Sequence, residues 1–364
     1  MKVLFLPTAS WNDPPSRYRI FQYQKYLGEQ GIAADCRAGV SDYVYTRFAP
    51  SKGAFAKLIF FGLGAFSRIA ACFIIWRYSA VFIQRLILPH VYPFPEMLVC
   101  TVAGLLGRKV IFDFDDAIFA TSPHRKKTLA ERFTDPDRVA RVLTRCDLVI
   151  VGNAYLASYA RKYSRKVVII PTSVDTARYP LKQIAGEEKD KTYVIGWIGM
   201  PGSLPYLNML KPVFQEIART YKITVRIVGG RGFECPGVSV EHLAWSLERE
   251  IEQILTFDIG VMPLYESEEA LGKCGLKLLQ YMAAGIPAVA SPVGANRDII
   301  TDGVDGYLAA SPEEWTEKLR SLIRSSLLRR EMGRKGRETV ERRFSLQANL
   351  PGLVKAISFS GAAE

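Results

Sequence analysis

The chain has 364 residues, 49% of them hydrophobic and 11% aromatic, which is enough to build two domain cores and excludes a disordered chain. Its formal net charge of +12 points to anionic partners, but no zinc-finger, RNP or helix-turn-helix pattern accompanies the charge, so nucleic acid is not an expected partner. The six cysteines show no CxxC pair or framework spacing and read as reduced thiols of a cytoplasmic protein, not as disulfides or a structural zinc site.

Val3-Leu4-Phe5-Leu6-Pro7 is too short for the core of a signal peptide and reads as a buried first strand. Further strands are expected at 32–37, 80–84, 109–114, 147–152 and 167–171. Helices are expected at 18–30, 95–106, 135–145 and 154–163. Apolar runs of this length alternating with helical patterns predict a parallel sheet covered on both faces.

After the first strand comes Pro14-Pro15-Ser16-Arg17-Tyr18-Arg19. Ser16 is a candidate helix N-cap. Arg17 and Arg19 at a helix start would oppose the helix dipole, which makes them candidates for gripping an anionic acceptor or donor phosphates. Residues 54–76 are strongly apolar, interrupted by Lys57 and Arg68. Eleven residues separate those two cations, which puts them on one narrow helical face. The pattern predicts a helix lying on a membrane interface, with an anionic membrane surface as partner; the alternative is an ordinary core helix. Residues 112–116 read Phe-Asp-Phe-Asp-Asp. Three acids at a strand end are costly to bury unpaired. Asp115 and Asp116 are therefore candidate catalytic groups, to orient an acceptor hydroxyl or take its proton. Magnesium could be held there, but no essential metal or cofactor is expected.

A charged stretch at 181–192 reads as a linker, and the alternation then restarts. Strands are expected at 193–198, 224–229, 258–263 and 288–291. Helices are expected at 204–221, 246–255 and 275–284, and again at 313–326, 328–343 and 346–357. The second strand-turn-helix, Ile198-Gly199-Met200-Pro201-Gly202-Ser203, offers backbone amides for phosphate oxygens. Residues 272–294 carry a helix opening at Gly275, whose dipole and first-turn amides, from Leu276 onward, suit a diphosphate. Lys273, Lys277 and Arg231 could add cationic charge there. His90, His124 and His242 have no catalytic or metal-binding spacing.

Met282-Ala283-Ala284-Gly285-Ile286-Pro287-Ala288-Val289 closely resembles the donor-helix motif of glycosyltransferase family 4, which has the GT-B fold. The segments 170–175 and 302–308 resemble that family as well. The resemblance implies an α/β protein of two Rossmann-like, doubly wound domains facing across a cleft. Residues 1–180 would bind the acceptor, a glycan or lipid-linked species. Residues 193–344 would bind a nucleotide-sugar donor, and 345–364 would form a helix returning to the first domain. It also implies retaining, metal-independent sugar transfer, and a setting in surface-polysaccharide or glycolipid assembly at the inner face of the cell membrane. The donor-site candidates are then Gly199, Gly202, Ser203, Arg231, Lys273, Gly275, Leu276, Lys277 and Gln280. The family motif has two glutamates; in this chain Gly272 and Gln280 stand at those positions. Gln280 can still bond ribose hydroxyls, and Glu269 is a candidate substitute for the first glutamate. The alternatives are a non-catalytic partner subunit and a nucleotide-sugar epimerase on the same fold.

Overall fold

The computed structural model describes residues 1–48, 53–120, 134–184, 186 and 190–358. His124 and the linker residues 185 and 187–189 lie outside them. Two six-stranded parallel sheets organise the chain. The first contains β1 (Lys2–Leu6), β2 (Ala33–Cys36), β3 (Ala80–Gln84), β4 (Lys109–Phe114), β5 (Leu148–Val151) and β6 (Val167–Ile169), in the order β2-β1-β3-β4-β5-β6. The second contains β7 (Tyr193–Ile198), β8 (Ile223–Val228), β9 (Ser239–Leu243), β10 (Ile259–Met262), β11 (Ala288–Ala290) and β12 (Tyr307–Leu308), in the order β12-β11-β10-β7-β8-β9. The inner strands β3 and β5 are buried along their whole length, as expected of a parallel sheet with both faces covered.

In each sheet the chain runs outward on one side of the first strand, then crosses to the other side. This places a topological switch point between β1 and β3 and another between β7 and β10. Ligands of doubly wound sheets bind at the carboxyl ends of the strands at such points.

The chain divides into two compact units. The first comprises Met1–Thr172, Ser267–Cys274 and the C-terminal residues from Asn349. The second comprises Ser173–Glu266 and Gly275–Ala348. The boundary therefore falls at 172/173, ahead of the expected 180, and Ser267–Cys274 groups with the first unit although its neighbours in sequence belong to the second. The segment read as a linker is anchored at both ends in the second unit. Lys182 donates to the Leu255 and Phe257 carbonyls at 3.0 and 2.7 Å, and Lys191 lies 3.0 Å from Asp258. In the first unit Lys109 donates to the carbonyls of Ala356 and Ile357 (3.0 and 3.2 Å) near the end of the Leu346–Ser358 helix, where a cation is favoured.

Several elements differ from the sequence reading. The expected helix at 204–221 is a 3-10 segment, Pro201–Leu210, followed by an α-helix, Lys211–Ala218. Pro205 and Pro212 lie within this stretch and remove the amides a continuous α-helix would need. The expected helix at 18–30 begins earlier, as Pro14–Arg19, and is broken by a 3-10 turn at Phe21–Tyr23. Its N-cap is Asp13, which accepts from the Ser16 amide, and not Ser16 itself. Prolines fill the first helical positions, where their missing amide costs nothing. Strands β9 and β12 were not foreseen: β9 is a mostly exposed edge strand and β12 has two residues.

The apolar run forms a helix, Ala54–Ala71, continued by a 3-10 segment, Cys72–Arg77. Lys57 and Arg68 do not share an exposed face. Arg68 is buried and pairs with buried Glu96, while Lys57 is exposed. The Arg68 guanidinium also donates to the Gln84 and Arg85 carbonyls (2.6 and 2.9 Å), and Glu96 accepts from the Ile87 amide at 2.9 Å. This network fastens two helices to the carboxyl end of β3. Removing one partner leaves the other charge buried and unpaired, so Glu96→Ala should cost about 3–5 kcal/mol of stability. Urea denaturation would measure it, and a loss below about 1 kcal/mol would contradict the assignment.

In the second unit the Asp258 carboxyl sits below the ordinary carboxylate range. Burial opposes this, but the Val194 amide, Lys182 and Lys191 outweigh it. A lowered folded pKa gives stability that is present above the unfolded value near 4 and is lost as pH falls through the lower folded value. Asp258→Asn should therefore flatten the acid limb of the stability curve below about pH 4. Superimposable acid limbs for the two proteins would refute this.

Candidate functional site

In the second unit, the carboxyl ends of β7 and β8 carry the turn residues singled out from sequence. Gly199 follows β7. A Cβ there would lie 2.6 Å from Lys277 Cε and 2.8 Å from the Trp197 ring, so only glycine lets the backbone approach this closely. Lys277 extends over that ring, its ammonium 5.5 Å from the centroid, a cation–π distance. The Ile198 amide donates to the Tyr281 hydroxyl at 3.1 Å. Gly199, Lys277 and the Leu276–Ala283 helix thus meet at the β7 end.

That helix starts at Gly275, which has φ +70°, the left-handed region that disfavours any side chain. Ile299 Cδ1 would lie 2.1 Å from a Cβ at this position. The Gly275 carbonyl accepts the first helical bond, from Leu279 at 3.2 Å, so the first-turn amides, beginning with Leu276, point out of the helix start. Beside it, buried Asn296 donates to the Ser291 carbonyl at 2.9 Å, and the Ser291 hydroxyl accepts from the Leu264 amide at 2.9 Å. Neither Asn296 nor Ser291 was singled out from sequence, because polar residues after short strands look like ordinary turn chemistry.

Exposed Arg231 lies in the turn after β8. His242 holds that turn, with its ring nitrogens 3.1 and 2.9 Å from the Gly230 and Phe233 carbonyls. Gly202 is exposed in the turn after β7.

Two donor-site candidates in this unit behave differently from expectation. The Ser203 amide already donates to the Met200 carbonyl at 2.9 Å, closing the 3-10 turn, so it is not offered to a phosphate. Gln280 is buried, and its amide faces the Tyr179 hydroxyl at 3.4 Å. It tethers the Leu276–Ala283 helix to the stretch before β7 and does not present itself to a ribose. Lys273 belongs to the first unit, where its ammonium is 3.4 Å from Glu269.

In the first unit, charge gathers at the carboxyl ends of β3 and β4. Asp113 is buried and accepts a bifurcated bond from the Arg19 Nε–H, 3.2 Å to each oxygen, and a further bond from Nη2; Arg19 Nη1 also donates to the Ile170 carbonyl at 2.7 Å. Arg17 is buried as well and donates to the Trp11 carbonyl at 3.3 Å. The expected acceptor grip by Arg17 and Arg19 is therefore corrected: both lie inside the fold. They also occupy the last turn of the Pro14–Arg19 helix, where cations are favoured.

Arg85 lies nearer the surface of this edge, its side chain 21% exposed. It has φ +50°, an uncommon conformation for a side-chain-bearing residue. Its amide is fixed to the Asp113 carbonyl at 2.8 Å. Its guanidinium lies 2.6 Å from Asp115 and 3.8 Å from Asp116. Asp116 is the more open of the two carboxylates, 36% exposed against 11%. At the switch point, Ser16 joins Asp13 at 2.6 Å and Gln84 at 3.0 Å, and the Thr8 hydroxyl reaches Asp13 at 3.1 Å. Arg85 was hidden in sequence because nothing local marks a strand-end arginine as strained. Among the described residues, no three metal-ligand side chains converge.

Ser267–Cys274 packs into this unit through Asn153, whose amide donates to the Leu271 and Lys273 carbonyls at 3.1 and 3.2 Å. A Cβ at Gly272 would fall 2.5 Å from Ala117, so this position has no room for the glutamate of the family motif. The Cys274 thiol donates to the Asp115 carbonyl at 3.1 Å. Burial, then the Asp115 charge, push its pKa well up, and it stays a neutral thiol.

Residues 194–325, just over a third of the chain, match the family model described as Glycosyl transferases group 1. The D-inositol 3-phosphate glycosyltransferase of Geodermatophilus obscurus is 26% identical over 229 residues, which cover 55% of this chain and 48% of that protein. The chain spans about half or less of the length of the curated relatives it matches. Among solved structures, a glycosyltransferase from Rickettsia africae aligns at TM-score 0.67 and 13% identity, covering 99% of both chains. Anabaena HepE in complex with UDP-glucose aligns at TM-score 0.65 and 14% identity, covering 98% of this chain and 99% of that one. Residues 194–325 are thus a Glycosyl transferases group 1 domain, within a chain that has the two-sheet GT-B fold of solved glycosyltransferases.

Proposed function

We propose that the chain is a retaining glycosyltransferase that moves a hexosyl or related sugar from a nucleotide-sugar to an acceptor hydroxyl. The setting is surface-polysaccharide or glycolipid assembly on the cytoplasmic side of the cell membrane. The observation that carries this reading is the carboxyl end of β7. There, Gly199 is pressed against Lys277 and Trp197, at the side of a helix that opens on left-handed Gly275. A helix start of this kind favours phosphate, and Lys277 and Arg231 supply positive charge. The UDP-glucose bound by a protein of the same fold supports a nucleotide-sugar as ligand.

In the reaction, the acceptor oxygen bonds to the anomeric carbon, the bond from that carbon to the phosphate oxygen breaks, and the nucleoside diphosphate leaves. The helix-start amides and the basic side chains stabilise the leaving charge without a metal ion. The departing phosphate takes the acceptor proton. Asp116, the more open carboxylate beside Arg85, orients the acceptor hydroxyl.

A second reading has one observation in its favour. Gly272 leaves no room for a carboxylate, and Gln280 is turned into the fold. A non-catalytic partner subunit would show both features. Turnover decides between them: the purified chain should release nucleoside diphosphate from its donor, and a chain that binds donor without ever consuming it is the partner subunit.

Lys277→Ala should weaken donor affinity by about tenfold or more, the loss of a charge-assisted contact. Calorimetric titration reads it, and unchanged affinity removes Lys277 from the site. Asp116→Asn should lower kcat at least about tenfold while leaving the donor KM nearly constant; full activity would leave Asp116 with no part in transfer.

A further inference from the structure

In the first unit, the Ala54–Arg77 stretch is 24 residues with a mean hydropathy of 2.1, long and apolar enough by composition to cross a membrane. Its placement argues against spanning. One stripe, Phe60, Gly64, Arg68, Ala71 and Ile75, is buried, and Arg68 is held by Glu96. Leaving the fold would strip a guanidinium of its carboxylate inside hydrocarbon, which is strongly unfavourable.

Among the described residues, nothing covers the opposite stripe. Phe55, Leu58, Phe66, Phe73 and Trp76 are between 62% and 78% exposed. A large contiguous apolar patch of this kind marks a binding surface. The stretch contains no acidic residue; its exposed charges are Lys57, at the angle of the buried stripe near the helix start, and Arg77. The patch continues on the neighbouring Phe94–Leu105 helix, where Leu105 is 83% exposed.

At the Trp76 end the apolar face meets a basic cavity. Arg108 donates to the Trp76 carbonyl at 3.2 Å. It also lines a cavity of about 730 Å³ at the amino ends of β4, β5 and β6, together with Arg145, Arg165 and Lys166. The acid there, Asp147, accepts from the Val110 amide at 2.7 Å. An apolar stripe beside clustered cations suits an anionic bilayer, with acyl chains against the aromatics and headgroup phosphates at the cavity. Two copies of the chain would instead oppose like charges across the patch.

We propose that this face docks the first unit on an anionic phospholipid membrane. The Ala54–Ala71 helix lies in the interface, and the Arg108–Arg165 cavity receives a lipid headgroup.

Vesicle flotation of the full chain tests it. The chain should float with phosphatidylcholine vesicles containing phosphatidylglycerol, and only weakly with phosphatidylcholine alone. Arg108→Glu and Arg165→Glu should each lower partitioning about fivefold or more. Phe73→Ser with Trp76→Ser should lower it on both vesicle types. Equal flotation on both vesicle types overturns the headgroup assignment, and no flotation on either overturns the docking. Release by inorganic phosphate beyond that by sodium chloride of equal ionic strength would make the cavity a site for free anions. Concentration-dependent dimers that ignore vesicles would make the face a self-association surface. Hydrogen exchange on the wild-type chain needs no variant: anionic vesicles should slow it across residues 54–77, and unchanged exchange there contradicts the proposal.

Discussion

The proposed donor site depends on close packing at the end of β7. Gly199 brings its backbone to within contact of Lys277 and Trp197, with no room for a side chain. That approach holds the lysine over the indole ring and beside the helix that opens at Gly275. The helix start and the cation can address one anion only if the β7 turn is this tight. Tyr281 contributes from beneath, its buried hydroxyl accepting the last amide of β7 and fixing the helix to the strand. These contacts all lie within one unit, so the site is built before any substrate arrives.

The first unit follows a different principle. Its polar edge is a ladder of paired charges, Arg19 with Asp113 and Arg85 with Asp115 and Asp116, running from buried to open. Burial makes the inner pair structural. The outer one leaves Asp116 accessible, and Arg85 holds a strained backbone to reach it. The pairing of Arg68 with Glu96 below the same strand end braces the carbonyls of Gln84 and Arg85. An unusual conformation persists when its surroundings over-determine it, and this brace does so.

The fold was legible because strand runs such as those of β1, β3 and β5 are continuous apolar segments between helical patterns. Glycine positions in the second sheet were legible for a similar reason, since a glycine just after a strand or just before a helix has few uses. Side-chain partners were not. Arg17 and Arg19 look like surface cations in sequence, and nothing local says that a carboxylate 94 residues away will bury one of them. Gln280 stands where the motif has a functional residue, yet Tyr179 and the core claim it. The spacing of Lys57 and Arg68 gave the correct helical angle but could not reveal that Glu96 draws only one of them inward. Edge strands β9 and β12 escaped notice because exposed or very short strands lack the apolar run that marks the others.

The central claim is that the second unit holds the paired phosphates of a nucleotide-sugar at the start of the Leu276–Ala283 helix. The most direct measurement is a thermal-shift screen of the full chain across sugar nucleotides that differ in base and sugar. The account predicts that at least one raises the melting temperature in a saturable manner, and that its parent nucleoside diphosphate does so too. A flat response to every sugar nucleotide and every nucleoside diphosphate would contradict it.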